Sequence, residues 1–463
     1  MVVTIPPRIK SFCGQFEGML SETKQSALSW LLAAYLLAAG KRTQSAVARG
    51  VLSRARSPSS VSRRMRRERF RTRDLVRAAM KGCVARELRR AGGAEEVWFL
   101  VIDGVSTKRG GDTKIGNAHR CQKPRRTRGR SSKAHYFVMG LLVTASGARI
   151  PLPRRTYYTH KYVARENRLR IEGRRKGGRL AYKTQLDLAC LIIKELDLPE
   201  NIRLVVVADE YFEGTKLTNL CRRKGHAFIA PVDKRRTFTP RKSLRARGKA
   251  LARGQYRTLT LRQGEEETAS HRRHMPRGAR EKGQRVYRYC CERRAIAKTG
   301  EVAVVYSWKR KRDRSGRPTS RETFKVLVCS DPTLFGEDDD ARIGAKVVEF
   351  YEMRWQVEVF FRELKSDLGL EDYQGCDFGA FERHVDLSML SFMCLEEMRR
   401  EEMARTRSPV KRREFARLRT RGLMRRLRLE AHAADAEWIM ELASSRRGRS
   451  HAAKLLPDLR MAA

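Results

Sequence analysis

The chain has 463 residues and carries 101 Lys plus Arg against 52 Asp plus Glu, a formal net charge of +49. So large an excess calls for a polyanionic partner, while 41% hydrophobic content excludes a disordered basic tail and leaves a folded, nucleic-acid-handling protein of about two to four domains. Ten cysteines without a single Cys-x-x-Cys pair exclude a zinc ribbon and a disulfide framework, and His271 with His274 lie in a polar, Arg-rich stretch that reads as a solvated loop.

Residues 1–92 read as helical. The longest apolar run, 27–40, falls short of the roughly 20 residues a bilayer needs and reads as a buried helix, so no membrane contact is expected. The first residues lack the basic-then-apolar order of a secretory leader, giving a reducing cytoplasm with access to the nucleoid as the expected address. Two short basic segments follow, 42–54 and 57–70, with Ser57 as a candidate cap and Pro58 at the first helical position. The second carries Arg63, Arg64 and Arg67; the pair reads either as a helix-turn-helix reader of DNA or as a solvated helical bundle.

From residue 95 the texture changes to short apolar runs at 97–102, 136–145 and 149–158, read as three consecutive strands. A helical stretch at 184–196, a strand at 203–208, a further helix and a strand at 226–232 come next. Three strands, helix, strand, helix, strand resembles the order of a ribonuclease H-like mixed α/β core, an order with which many other α/β domains also begin. Residues 233–325 read as a basic β-rich insertion with strands at 256–261, 285–291 and 302–308. A strand at 324–329, an acidic run at 337–340, a long helix over 341–368 and a helical, basic region from 376 to the end complete the chain. The expected division is 1–92, 93–232, 233–325, 326–375 and 376–463.

Asp103 closes an apolar run and Asp209 closes another, so both carboxylates are expected at the carboxyl ends of strands, where α/β folds place ligands; each by itself also reads as a turn residue. In the long helix, Tyr351, Arg354, Glu358 and Lys365 fall within roughly 60° at 100° per residue, beside an apolar stripe of Met353, Val357, Phe360 and Leu364. Glu352 and Glu363 point roughly 100° and 120° away from Tyr351 and miss that stripe.

The string Tyr351-x2-Arg354-x3-Glu358-x6-Lys365, preceded by Asp103 and Asp209, resembles the signature of DDE transposases of the insertion-sequence-four type, over about residues 95–375. The chain departs from many relatives in placing Gly104 and Val105, not a hydroxyl residue, directly after the first Asp. The resemblance implies a ribonuclease H-like catalytic core in which Asp103, Asp209 and Glu358 hold two Mg²⁺ (or Mn²⁺) ions, hard cations suited to oxygen ligands. It implies cleavage at the ends of an insertion sequence, followed by attack of the freed 3′ hydroxyl on target DNA. Arg354 and Lys365 would hold backbone phosphates and Tyr351 would add a hydroxyl bond. Trp355 or Trp308 would stack on a flipped base, although each reads equally as a packing residue. It further implies double-stranded DNA as partner, a homodimer that pairs two element ends, end binding by residues 1–92 and dimerisation through 376–463. A non-catalytic DNA-binding protein derived from such an enzyme, or a ribonuclease H-like nuclease without strand transfer, are the alternative readings.

Overall fold

The computed structural model describes every residue except 1–3, 39, 52–55, 67–70, 109–114, 121–132, 175–176, 234–242, 252, 263–283, 297–299, 313–317, 337–338 and 445–463. It opens with five helices: α1 (Pro7–Gly14), α2 (Glu22–Leu37), α3 (Gln44–Ala48), α4 (Pro58–Arg66) and α5 (Thr72–Ala91). The apolar run lies in α2, whose residues from Leu28 to Leu37 are all buried. No described helix is long and apolar enough to cross a membrane. The Ser57 hydroxyl accepts the Ser60 N–H at 3.1 Å, as expected of a cap ahead of Pro58.

The core strands are β1 (Glu96–Lys108), β2 (His119–Arg120), β3 (Lys133–Val143), β4 (Arg149–Pro151), β5 (Arg155–Thr156), β6 (Ile202–Ala208) and β7 (Ala227–Pro231). Helices α6 (His160–Ile171) and α7 (Gln185–Lys194) precede β6, and α8 (Thr215–Arg223) precedes β7. β3 pairs antiparallel with β1, and β1, β6 and β7 run parallel in that order, the ribonuclease H-like arrangement. The third strand expected over 149–158 is instead two pieces, β4 and β5, both paired with β3. Pro151 and Pro153 explain the break, since neither can donate to a ladder. Thr184 and Asp187 form a reciprocal capping box that starts α7.

The basic insertion continues the same sheet. After α9 (Leu244–Ala250) come β8 (Arg257–Arg262), β9 (Gln284–Ile296), β10 (Gly300–Arg312) and β11 (Pro318–Cys329), and the sheet runs β2-β3-β1-β6-β7-β11-β10-β9-β8. The expected boundary at 325/326 therefore cuts through β11, whose last residues, Leu327 to Cys329, pair with β7. Alternation along the strands divides the interior. Leu204, Val206 and Ala208 join the large core under the terminal helices, while Val205, Val207, Val305 and Leu327 face a second core on the other side.

The helix expected over 341–368 is two: α10 (Asp340–Glu352) and α11 (Trp355–Ser366). Met353 and Arg354 keep right-handed helical dihedrals, but bonds to the third residue back replace those to the fourth (Met353 N to Phe350 O 3.1 Å, Arg354 N to Tyr351 O 3.0 Å). The joint has a packing cause. Val347, Val348 and Tyr351 of α10 belong to the second core, whereas Val357, Phe360 and Leu364 of α11 belong to the first, and one straight helix would not bury both stripes. Among the described residues the last three helices are α12 (Phe378–Arg405), α13 (Pro409–Arg417) and α14 (Thr420–Ser444).

Candidate active site

The last rung between β1 and β6 pairs Ile102 with Ala208, so Asp103 and Asp209 are the next residues in register on adjacent strands. Asp103 does not close its strand, however. β1 runs on to Lys108 against β3, with Asp103 opposite Met139, because the antiparallel neighbour extends past the point where the parallel one stops. Asp209 does leave its strand, and its Oδ1 accepts the Tyr211 N–H at 2.5 Å, capping a 3₁₀ turn.

Asp103 Oδ1 accepts the Gly104 N–H at 2.7 Å, and Oδ2 lies 3.9 Å from Arg354 Nη1. Burial pushes the Asp103 carboxyl up to about 6. The negative charges of Asp209 and Glu358 add to that rise, and the Gly104 N–H and the Arg354 guanidinium oppose it. Arg354 Nη2 donates to Glu358 Oε1 at 2.5 Å, so one guanidinium bridges the first and third carboxylates. Burial works against the charge on Arg354, but Tyr351, Glu358 and Asp103 more than restore it, and its pKa stands above the ordinary value. Tyr351 is buried against the second core on the near side of the joint, with the Arg354 guanidinium 6.0 Å from its ring centroid; burial raises the pKa of its phenol, Arg354 opposes the rise, and the charges of Asp209 and Glu358 add to it. Lys365, near the end of α11, donates to the Ser106 carbonyl at 2.7 Å and pairs with Glu371 at 3.2 Å, which ties this helix to the part of β1 beyond Asp103.

The competing carboxylates are engaged elsewhere. Glu352 accepts from Tyr287 Oη at 2.5 Å and pairs with Lys309 at 3.5 Å and with Arg285. Glu363 is buried and pairs with Arg149 at 2.9 Å. Trp355 lies between the guanidinium groups of Arg285 and Arg362, 5.9 and 5.7 Å from its ring centroid. Trp308 packs on Phe324 at 4.6 Å, on the face of β10 opposite Lys309, and does not join the carboxylates. Arg63 and Arg64 belong to α4, which packs on α3 and α12 and so forms part of the helical layer. Arg67 lies outside the described residues.

Sequence reasoning missed three side chains. Lys325 of β11 sits 3.5 Å from Tyr351 Oη and over its ring; burial, then Arg354, lowers its pKa against the pull of Asp209, Glu210 and Glu358. Lys309 of β10 is brought down to about 7 by desolvation and by the like charges of Arg285, Lys325 and Arg354. The signal was available, because Ala303, Val305 and Ser307 alternate inward on β10 and Lys309 is the next inward position. The third is Tyr136. A Cβ placed on Gly104 would lie 1.5 Å from its hydroxyl, so a phenol occupies the space over the residue that follows Asp103. Burial, then the charge of Asp103, holds the Tyr136 phenol above its ordinary pKa.

Asp103, Asp209 and Glu358 offer the hard oxygen donors that Mg²⁺ or Mn²⁺ prefers. Their arrangement is not a closed cage. Among the described residues no group of three or more His, Cys, Asp or Glu side chains is placed to hold a metal ion, and the cation between Asp103 and Glu358 is Arg354.

Fold and site together define an α/β protein with a ribonuclease H-like sheet and acidic side chains gathered around Arg354 next to the parallel strand ends. Residues 186–394 match the family described as the transposase DDE domain, a stretch that includes Asp209 and Glu358 and begins after Asp103. No curated protein matches the chain. Among solved structures, a piggyBac transposase synaptic complex with hairpin DNA is similar at 11% sequence identity and a TM-score of 0.35; the match covers 77% of this chain and 56% of that one.

Proposed function

We propose that this chain is a DDE transposase of the insertion-sequence-four type, which cuts at the ends of its element and joins the freed 3′ hydroxyl to target DNA. The observation that carries the reading is the register of Asp103 with Asp209 on neighbouring parallel strands, joined to Glu358 through Arg354. A divalent ion held by Asp103, Asp209 and Glu358 would activate water and neutralise charge on the phosphate under attack.

The rest of the work falls to the protein's own side chains. Arg354, already forked between two carboxylates, presents the planar geometry that suits a phosphodiester, and Lys365, anchored on Ser106, adds a point charge at the far end of α11. Lys309 and Lys325 come from the insertion strands to the same side as Tyr351 and Arg354, where their positive charge would offset the dianionic character of the transition state. In this reading residues 1–92 bind element ends, residues 376–463 supply a dimer contact and the working form is a homodimer on double-stranded DNA in the cytoplasm, at the nucleoid.

Glu358→Gln removes the charge of the third carboxylate while keeping its shape. Cleavage of a duplex carrying the flanking inverted repeats of the element should fall by at least about 100-fold in Mg²⁺, with end binding in a gel-shift assay largely retained. Undiminished cleavage would overturn the assignment. Binding without cleavage by the unsubstituted protein would favour a non-catalytic DNA-binding role. Cleavage without joining of a precut 3′ end to target DNA would favour a nuclease.

A further inference from the structure

A second basic site lies outside the carboxylate group. A cavity of about 650 Å³ opens between the start of α5, β5, the residues leading into α7, and α12. Six of the cations around it fall into two kinds. Arg154 pairs with Glu382 at 2.9 Å and Asp386 at 2.8 Å, and Arg155 pairs with Glu195, so those two are neutralised by the fold. Arg71, Arg73, Arg179 and Lys183 also line the cavity and have no carboxylate partner among the described residues.

Arg73 is the informative one. Its Nε and Nη2 are buried without a hydrogen-bond partner, a costly state for groups that water or an acceptor would normally satisfy. Burial, followed by the like charge of Arg154, lowers its pKa, and the more distant carboxylates of Glu195 and Asp386 only partly offset that. The uncapped start of α5, at Arg71 and Thr72, adds its partial positive charge on the same side.

The position of the cavity favours a nucleic-acid strand over a small compound. Arg383, on its wall, donates to the carbonyls of Met65 and Arg66 at the end of the basic helix α4. On the other side, Thr156 leads to Tyr157, which packs edge-on against Tyr136, the residue lying over Gly104 beside Asp103. The cavity thus lies between a basic helix and the carboxylates.

We propose that this cavity is a phosphate-binding site that seats a backbone phosphate of DNA outside the cleavage centre, with Arg73 as its inner ligand and Arg71, Arg179 and Lys183 at its rim. The site takes a phosphate group in either of two forms, a strand or a free phosphate compound, and its existence does not depend on the catalytic reading.

The test uses the full chain in EDTA, so that cleavage plays no part. Arg73→Gln removes the inner ligand. Lys183→Ala removes an exposed rim ligand and cannot disturb the core. The expected result is that inorganic pyrophosphate raises the melting temperature of the unsubstituted protein but not of R73Q. The dependence of log affinity for a labelled 20-base-pair duplex on log salt should also become shallower by about 0.9 in each variant. That corresponds to about a threefold smaller loss of affinity between 50 and 200 mM salt. Loss of the pyrophosphate shift with an unchanged duplex slope would support the phosphate site with a free compound as its source and overturn the seating of a strand. Both variants matching the unsubstituted protein in both measurements, with unchanged circular dichroism, would overturn the proposal. Activity of E358Q, measured separately, tests the catalytic reading alone.

Discussion

Replacing Arg149 with Met should destabilise the protein far more than a typical surface change. Arg149, on β4, donates to Glu363 at 2.9 Å and to Glu396 at 2.7 Å, and all three side chains are at least nine-tenths buried. Met fills most of the volume of the aliphatic stem but leaves two buried carboxylates without their guanidinium, compensated in part by Arg399, 3.2 Å from Glu396, and by the Thr420 N–H, which donates to Glu363 at 3.4 Å. Removing one partner of a buried pair costs about 3–5 kcal/mol, so a loss in that range is expected at pH 7, equivalent to a fall in melting temperature of about 3–5 °C for a cooperative unit of this length. The deficit should shrink in acid. Burial disfavours ionisation of Glu396, but Arg149 and then Arg399 outweigh it and hold the carboxyl below the usual range. A depressed carboxyl contributes stability that is present above its unfolded pKa, about 4.3, and lost as pH falls through the folded value. With Arg149 gone, the Glu396 carboxyl takes up a proton earlier, and the gap to the unsubstituted protein narrows between pH 6 and pH 4. Urea melts at pH 7 and pH 4.5 measure both effects. The triple variant Arg149→Met, Glu363→Met, Glu396→Gln should recover most of the loss, because replacing the whole buried set removes the desolvation cost with it. A single-variant loss under about 1 kcal/mol, or no recovery in the triple variant, would refute the argument.

Three further outcomes follow from the site. Gly104→Ala forces its new methyl into the Tyr136 phenol, so its stability should drop by about 1–3 kcal/mol in thermal melts, whereas in a Tyr136→Ala background the same substitution should cost little. Lys309 has a folded pKa near 7 against about 10.4 unfolded, so the unfolded chain binds more protons between those values and stability should rise with pH across that window; Lys309→Met should flatten the rise in melts taken from pH 6.5 to 10. Lys325→Met should lower the cleavage rate about 10-fold or more in single-turnover assays while binding of element ends, read by gel shift, changes little; an unchanged rate would remove Lys325 from the site.

Much of the core was legible because apolar runs of six or seven residues bounded by charges leave few alternatives to buried strands, and because Thr184 and Asp187 mark a helix start by their own chemistry. What escaped were features set by tertiary partners. The length of β1 past Asp103 depends on β3, which pairs with it as far as Lys108. The break after Glu352 follows from two separate apolar cores that no one-dimensional pattern displays. Tyr136 was passed over because it reads as an ordinary strand aromatic until Gly104 is seen beneath it. Trp308 was weighed for its ring alone, when the residue beside it, on the other face of the same strand, carries the charge.

The continuity of the sheet has a consequence for anyone wishing to trim this protein. β11 hydrogen-bonds directly to β7, so the basic strands are not a detachable appendage. Excising them would strip the last parallel strand of its neighbour and leave a hydrophobic row with unpaired amides open to solvent, ready to recruit another chain. A version from which β8 to β11 are excised should precipitate rather than fold as a smaller protein, and shortening is better attempted within individual hairpin connections than by removal of the whole segment.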